Sequence, residues 1–422
     1  MVRRLFLLIY IALFGILTGH TIIDTDQRVL DERIRSLQVR SVTDNLTTGT
    51  PMIVLGSGDA ITIEFDMLQD DNSFLRYEVI HCNADWQPSH LSYLEYLEGF
   101  NEGTIEDYAF SGATIVPYVH YRLILPNENF QFKLSGNYLV RIYDEETPDN
   151  TIIRARFYVS EQTAPISVFV TSRTDVDYNR HHQQLEVSVD CERAPVADLF
   201  SDALLVIEQN GRPDAVHTLR HPLRISGRKM IFEHQPELIF PGGNEYRRFE
   251  TVSNTWTGMN IDAIKYQAPY YNHYLITDTP RSSTDYLYDQ TLRGGYLVRE
   301  YNSHESETEA DYVVVHFSLE MPELLGGTDI FIDSDAFNRV LGPESRMDYN
   351  RVTGRYEKAA LLKQGAYSYQ YLAVPQGRLF GDTETVEGDK YQTSNQYTLT
   401  IYTRVPGERY DRLIGFARVF TD

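Results

Sequence analysis

Short strand-like runs separated by turn residues are the feature that most limits what this chain can fold into. After Leu17, no segment longer than ten residues shows the periodicity of an amphipathic helix. Runs such as Phe74–Cys82, Tyr118–Leu125 and Tyr138–Tyr143 are strand-like, and Gly, Asn or Pro stands between them. The pattern predicts an all-β chain of three consecutive Ig-like β-sandwich domains. A propeller or a solenoid is not indicated, because no repeat of fixed period is present.

The strand pattern restarts twice, which divides the chain into three predicted domains. Glu161–Pro165 is a plausible linker, and the acidic loop Asn302–Asp311 lies close to the second restart. We therefore predict domains at residues 21–162, 163–300 and 301–422, after a leader at residues 1–20. Lengths of about 100–150 residues are typical of single domains.

The first twenty residues have the pattern of a secretory signal peptide. Arg3 and Arg4 precede the apolar run Leu5–Leu17, and the small residue Gly19 follows it. The run is shorter than the roughly 20 residues that a spanning helix needs. Retention as a membrane anchor is the alternative. We expect cleavage near Gly19 and an exported, soluble chain.

Charge and cysteine content exclude some classes of function. The formal net charge is −22, and an acidic surface repels phosphate backbones, so nucleic acid is not expected as a partner. Cys82 and Cys191 are the only cysteines, and each lies beside a strand of a different predicted domain. We expect two buried thiols that are not bonded to each other.

A search for chemistry in the sequence finds no catalytic pattern. His217 and His221 are four residues apart but lack the Glu of a helical zinc protease between them, and His181–His182 has no carboxylate at ligand spacing. Neither a nucleophile elbow nor a phosphate-cradling glycine loop occurs. We therefore predict no enzyme activity, no catalytic residues, no metal, no cofactor and no small-molecule substrate.

Two groups of aromatic and Arg residues are candidates for binding a partner protein. Trp86, Tyr93, Tyr96 and Phe100 follow the strand Phe74–Cys82 in a loop too apolar to lie free in water. They either cap a sandwich core or contact a partner. The second group is Phe240, Tyr246 and Arg247, which suit interface anchors as well as strand ends.

The predicted third domain is similar to the starch-binding branch of Ig-like modules. The similarity is carried by Asp329–Ile332, Met347–Tyr349, Gly354–Glu357 and Gly365–Tyr371. Tyr or Phe stands where those modules place an exposed Trp. A carbohydrate-binding protein is therefore the alternative function. For a chain that does not bind sugar, we expect at least two of Tyr349, Tyr356 and Tyr371 to be packed against the sandwich.

The whole chain resembles a more specific family, the type IX secretion system plug proteins of Bacteroidota. The motifs that carry the resemblance occur in order along the chain: His81–Trp86, Glu95–Asn101, Tyr118–Tyr121, Leu134–Leu139, Gly227–Met230, Phe240–Arg247, Tyr391–Thr393 and Arg409–Gly415.

The resemblance implies a non-enzymatic periplasmic protein. Such a protein would bind and seal the periplasmic opening of the outer-membrane translocon barrel, and would be peripheral to the outer membrane only through that barrel. The family contributes no catalytic residues to this sequence.

Overall fold

The structure is a computed structural model that describes residues 25–43 and 48–421. The predicted leader and its cleavage site lie outside the described residues. The prediction of an all-β chain is confirmed, because helices in the described part are single turns. These are α1 (Tyr93–Tyr96), α2 (Ser306–Glu309) and the 3-10 turns Pro236–Leu238 and Asp335–Phe337. Within the described residues, no helix has the length and apolar character needed to cross a bilayer.

The first sandwich contains twelve strands. They are β1 (Arg28–Val29), β2 (Ile34–Ser41), β3 (Met52–Val54), β4 (Ile61–Met67), β5 (Leu75–Cys82), β6 (Leu97–Gly99), β7 (Glu102–Thr104), β8 (Asp107–Phe110), β9 (Val119–Leu125), β10 (Phe130–Phe132), β11 (Gly136–Asp144) and β12 (Thr151–Ser160).

Two sheets enclose the core of this sandwich. One has the order β1-β12-β11-β5-β7, with β3 parallel to β12, and the other has the order β2-β4-β9-β8. Strand alternation explains the packing: in β4, Ile61, Ile63 and Phe65 are fully buried, whereas Thr62 and Glu64 between them are only half-buried. Strand β8 is the last strand in the order β2-β4-β9-β8, so it forms an outer edge of that sheet.

The second sandwich begins with seven strands. They are β13 (Ile166–Thr171), β14 (His182–Asp190), β15 (Ala203–Gln209), β16 (Val216–Leu219), β17 (Arg224–Ser226), β18 (Lys229–Phe232) and β19 (Ile239–Pro241).

The third sandwich contains nine strands. They are β20 (Arg247–Glu250), β21 (Ile261–Gln267), β22 (Tyr270–Leu275), β23 (Tyr296–Val298), β24 (Tyr312–Glu320), β25 (Thr328–Asp333), β26 (Asp348–Asn350), β27 (Arg355–Lys363) and β28 (Gly365–Pro375). Its sheets have the orders β20-β28-β23, with β25 also on β28, and β21-β22-β24-β27-β26.

The last two strands, β29 (Gln396–Thr403) and β30 (Arg412–Phe420), do not join the third sandwich. They complete the order β16-β15-β29-β30, and Tyr397, Leu399 and Ile401 lie in the second core. The third sandwich is thus inserted between β19 and β29. The predicted domains 163–300 and 301–422 require correction here, because alternation identifies a strand with one buried face but not the sheet that the strand joins.

Candidate interaction site

The predicted aromatic loop begins with a tight turn after β5. The Trp86 N–H donates to the carbonyl of Asn83 (2.9 Å), and the Asp85 carboxylate accepts from the Gln87 N–H (3.0 Å). Trp86 itself has φ of +63°, in the left-handed region that residues other than glycine seldom adopt. The backbone conformation at this position is therefore held by its surroundings.

Trp86 packs at the junction between the first and second sandwiches. Its ring centroid lies 5.3 Å from that of Tyr158, and the Arg156 guanidinium lies 4.3 Å from the ring centroid. Leu204 and Val206 of β15 belong to the same cluster. Trp86 also lines a cleft of about 990 Å³ whose walls come from all three sandwiches. It is a half-buried residue of a junction inside the molecule.

Tyr93 and Tyr96 lie on α1, a single turn that a capping box begins. The Ser92 N–H donates to the Glu95 carboxylate (2.7 Å). Tyr96 is buried, and its hydroxyl donates to a β5 carbonyl 3.1 Å away, while Tyr93 packs half-buried against the first core. Both side chains cap that core. Phe100, by contrast, is 68% exposed.

The turn after β5 also touches the segment that leads into β30. The Ala84 N–H donates to the Asp411 carboxylate (3.1 Å), and the Asp411 N–H donates to the Asn83 side-chain oxygen (3.2 Å). Two motifs that lie over 300 residues apart in the sequence, His81–Trp86 and Arg409–Gly415, therefore meet in space. In the structure, the contacts between these two motifs join the first sandwich to the second.

His81, the first residue of that motif, is enclosed by the first sandwich. Its Nδ1 lies 2.9 Å from the Ser89 hydroxyl, and its Nε2 lies 3.1 Å from the Ser135 carbonyl oxygen. Burial lowers the pKa of His81 to about 4. A β-carbon on Gly136 would lie 2.4 Å from Nε2, and Gly136 has φ of +148°, so only glycine fits there.

The motif Phe240–Arg247 is the passage from the second sandwich into the third. It lies against the returning segment: the Gly243 N–H donates to the Asp389 carboxylate (3.0 Å), and the Lys390 N–H donates to the Gly243 carbonyl (2.7 Å). A β-carbon on Gly242 would lie 2.4 Å from the Lys390 carbonyl oxygen. The two passages of the chain between the second and third sandwiches are therefore hydrogen-bonded to each other.

Tyr246 and Arg247 are enclosed in buried polar networks. Arg247 pairs with Asp278 (2.6 Å) and with Glu387 (3.0 Å), and its side chain is 9% exposed. The Tyr246 hydroxyl lies 3.1 Å from the Asp333 carboxylate and is buried. Removing one partner from such a network would leave a buried charge uncompensated. These residues hold the insertion of the third sandwich in place.

Phe240 is buried in the second core, with its ring stacked on His217 at 4.3 Å. The prediction that these seven residues bind a partner therefore needs correction for four of them. Phe240, Tyr246, Arg247 and Tyr96 have no accessible side chain to offer a partner. The structure does not bring the two predicted groups together, and Phe100 is the residue among them that projects furthest into solvent.

Sequence reasoning missed an ion pair between the first and third sandwiches. The Lys363 ammonium on β27 lies 2.5 Å from the Asp66 carboxylate on β4, and both side chains are 1% exposed. Asp66 also accepts from the Tyr312 hydroxyl (2.6 Å) and from Nδ1 of His120 (2.8 Å). Burial is the largest single effect and would raise the pKa of Asp66, but the charge of Lys363 and the hydrogen bonds from His120 and Lys363 together lower it. We call this group of four residues the 1–3 latch.

The remaining expectations concern aromatic and sulfur groups. Tyr356 and Tyr371 are buried in the third core, as expected for a domain without a sugar platform, and Tyr349 is half-buried against Tyr356. The cysteines are buried and not bonded to each other, which confirms that prediction. Among residues 25–43 and 48–421, no group of three His, Cys, Asp or Glu side chains is placed to hold a metal ion.

The fold and these junctions define a class of protein: a β-sandwich assembly whose most distinctive sequence motifs hold its parts together. Residues 34–161 match the family described as type 9 secretion system plug protein, 1st domain. A crystal structure of a hypothetical protein from Parabacteroides merdae is 41% identical, with a TM-score of 0.92. The alignment covers 94% of this chain and 100% of that one.

Other comparisons add nothing to the assignment. A Salmonella alpha-2-macroglobulin mutant aligns with 12% identity over 94% of this chain and 24% of its own, at a TM-score of 0.13. No curated protein matches the chain. The chain belongs to the type IX secretion system plug protein family, which places its role with that secretion system at the cell envelope.

Proposed function

We propose that this protein binds the periplasmic opening of the outer-membrane translocon of the type IX secretion system and seals it without catalysing a reaction. The observation that carries the proposal is the plug family match over the first sandwich, in a chain whose three sandwiches are tied together by buried polar contacts. Export to the periplasm, as the leader suggests, would bring the chain to that opening.

Rigidity supports the proposal, because a body that closes a wide pore must not deform. The 1–3 latch joins the first and third sandwiches, and the Arg40 guanidinium on β2 also donates to the Tyr296 carbonyl (3.1 Å). The Gln396 side chain of β29 donates to the Thr48 carbonyl (2.9 Å), which links the second sandwich to the first. A preformed body loses little conformational entropy on binding.

The connection between the second and third sandwiches adds to this rigidity. The chain crosses that junction twice, once through Phe240–Arg247 and once on the return to β29. Two crossings that are hydrogen-bonded to each other restrict rotation more than a single linker would. The three sandwiches are therefore suited to act as one body.

Deletion of the gene in its host tests the proposed function. Secretion should largely persist, because a plug is not the conduit, while the outer membrane should admit large antibiotics through vacant pores. Re-expression of the wild-type protein should restore the barrier. Restoration should fail with a Lys363→Met variant of the 1–3 latch and succeed with Lys358→Met, a lysine on the same strand that lies outside the latch.

Purification provides an independent arm of the same test. The protein, recovered from solubilised outer membranes by an affinity tag, should bring the translocon with it in amounts that mass spectrometry detects. Unchanged permeability after deletion, together with no recovered translocon, would refute the proposal.

A further inference from the structure

The outer edge of β8 has the features of an unoccupied strand-pairing site. All four of its residues are exposed, and it pairs only with β9 among the described strands. The N–H of Ser111, just beyond β8, donates to the Tyr118 carbonyl (2.9 Å), so the alternation of an antiparallel ladder points residues 107 and 109 toward β9. The backbone groups of Tyr108 and Phe110 then face outward.

The two faces of this edge differ in chemistry. On the core side, Tyr108 and Phe110 are 41% and 52% exposed, and their rings meet edge to face at 5.9 Å. An exposed sheet edge with apolar side chains offers unpaired backbone groups to another strand. On the opposite side, Asp107 and Ala109 border a pocket of about 480 Å³ that the α2 segment roofs.

The wall of that pocket contains a polar side-chain atom without a partner. His120 lines it, its side chain is 10% exposed, and its Nε2 has no hydrogen-bond partner. The ionised Asp66 carboxylate can only accept, so Nδ1 of His120 carries the proton that is donated across 2.8 Å. Nε2 is therefore a buried polar atom of the pocket wall without a hydrogen-bond partner among the described residues.

The surroundings of the pocket are acidic. Asp107, Glu305 and Glu307 line it, and none of their carboxylates forms an ion pair with another described residue. The guanidinium of Arg122 in the pocket wall is bonded to Glu64 (2.8 Å), and its charge also acts on Asp107 and Glu307. Carboxylates still outnumber cations in the pocket wall, which favours a cationic side chain that can donate hydrogen bonds.

We propose that β8 is extended by a short strand of the translocon, in which apolar residues alternate with Arg or Lys. The apolar residues would cover Tyr108 and Phe110, and one basic side chain on the other face would enter the pocket lined by Asp107, Glu305 and Glu307. Strand addition of this kind gains affinity from main-chain hydrogen bonds and specificity from alternate side chains. The identity of the partner rests on the proposed function.

The test uses the full mature protein and the purified translocon in detergent, with affinity measured by biolayer interferometry. Tyr108→Pro removes an outward N–H without touching the ladder to β9, and Tyr108→Ala is its matched control. We expect Tyr108→Pro to weaken binding at least roughly tenfold relative to Tyr108→Ala. Equal affinities for the two variants would overturn the inference and leave the proposed function standing.

Two further measurements keep the inference falsifiable if Tyr108→Pro does not fold. Glu307→Lys should weaken binding at low salt, whereas Glu344→Lys, an exposed site on the third sandwich, should not. Hydrogen exchange at the amides of Tyr108 and Phe110 should slow in the complex of the wild-type protein. Unprotected amides in a formed complex would refute strand addition, and a translocon that does not bind the wild-type protein would refute the proposed function as well.

Discussion

Replacing Lys363 with methionine should weaken the coupling between the first and third sandwiches more than any surface substitution. Methionine keeps most of the side-chain volume but removes the ammonium that lies 2.5 Å from the Asp66 carboxylate. Because that carboxylate is 1% exposed, it would remain buried with only the hydrogen bonds from Tyr312 and His120 to stabilise it. Breaking one side of a buried pair costs about 3–5 kcal/mol, so we expect a loss of that size.

Urea unfolding followed by circular dichroism measures this loss, and hydrogen exchange locates it. The first and third sandwiches should lose protection along β4 and β27, while the second core should be less affected. The control Lys358→Met should cost less than about 1 kcal/mol, as for most exposed or half-exposed sites. The double variant Asp66→Asn with Lys363→Met should be more stable than Lys363→Met alone, because no unpaired carboxylate remains.

The pH dependence of the latch follows from the lowered pKa of Asp66. A carboxyl whose pKa is lower in the folded state contributes stability that is complete above its unfolded pKa and is lost as the pH falls below about 4. The free energy of unfolding of the wild-type protein should therefore fall relative to that of the double variant in acid. A Lys363→Met variant as stable as the wild type at pH 7 would refute the reasoning, because it would mean that water or a rearrangement already compensates Asp66.

Three other predictions follow from the site. Trp86→Ala should destabilise the protein by about 2–4 kcal/mol in urea unfolding, because it removes the ring between the first two sandwiches and the contact with Arg156; a loss below about 1 kcal/mol would contradict this packing. Burial lowers the pKa of His81 to about 4, so the contribution of its neutral ring to stability should be complete above pH 6.5 and lost as the pH falls toward 4. His81→Gln should make the urea midpoint less dependent on pH between 6.5 and 4, and an unchanged pH dependence would count against this assignment. The thiols of Cys82 and Cys191, whose pKa values burial raises to about 12 and about 11, should react slowly with a thiol reagent in the native protein, and both should titrate in urea; rapid native labelling would disprove their burial.

Some features of the candidate site could be predicted from the sequence. The aromatic loop after β5 could be recognised because Trp, Tyr and Phe residues are concentrated there, and one of its two interpretations, a cap on the first core, describes Tyr93 and Tyr96. The motif Phe240–Arg247 could be recognised as unusual, but not as a crossing between sandwiches. Its contacts to Asp389 and Glu387 join residues about 140 positions apart, and no local pattern reports such a pairing.

The sequence by itself determined that the chain is all-β, because the alternation of a strand and the Gly, Asn and Pro residues of turns are local properties of a few neighbouring residues. It also determined the family, through motifs that occur in order. Only the tertiary structure decided that β29 and β30 return to the second sandwich, and that Asp66 pairs with Lys363 across 297 positions. Sheet membership and ion pairing depend on which surfaces meet once the sandwiches have packed, and a strand's own residues specify a buried face without specifying what covers it.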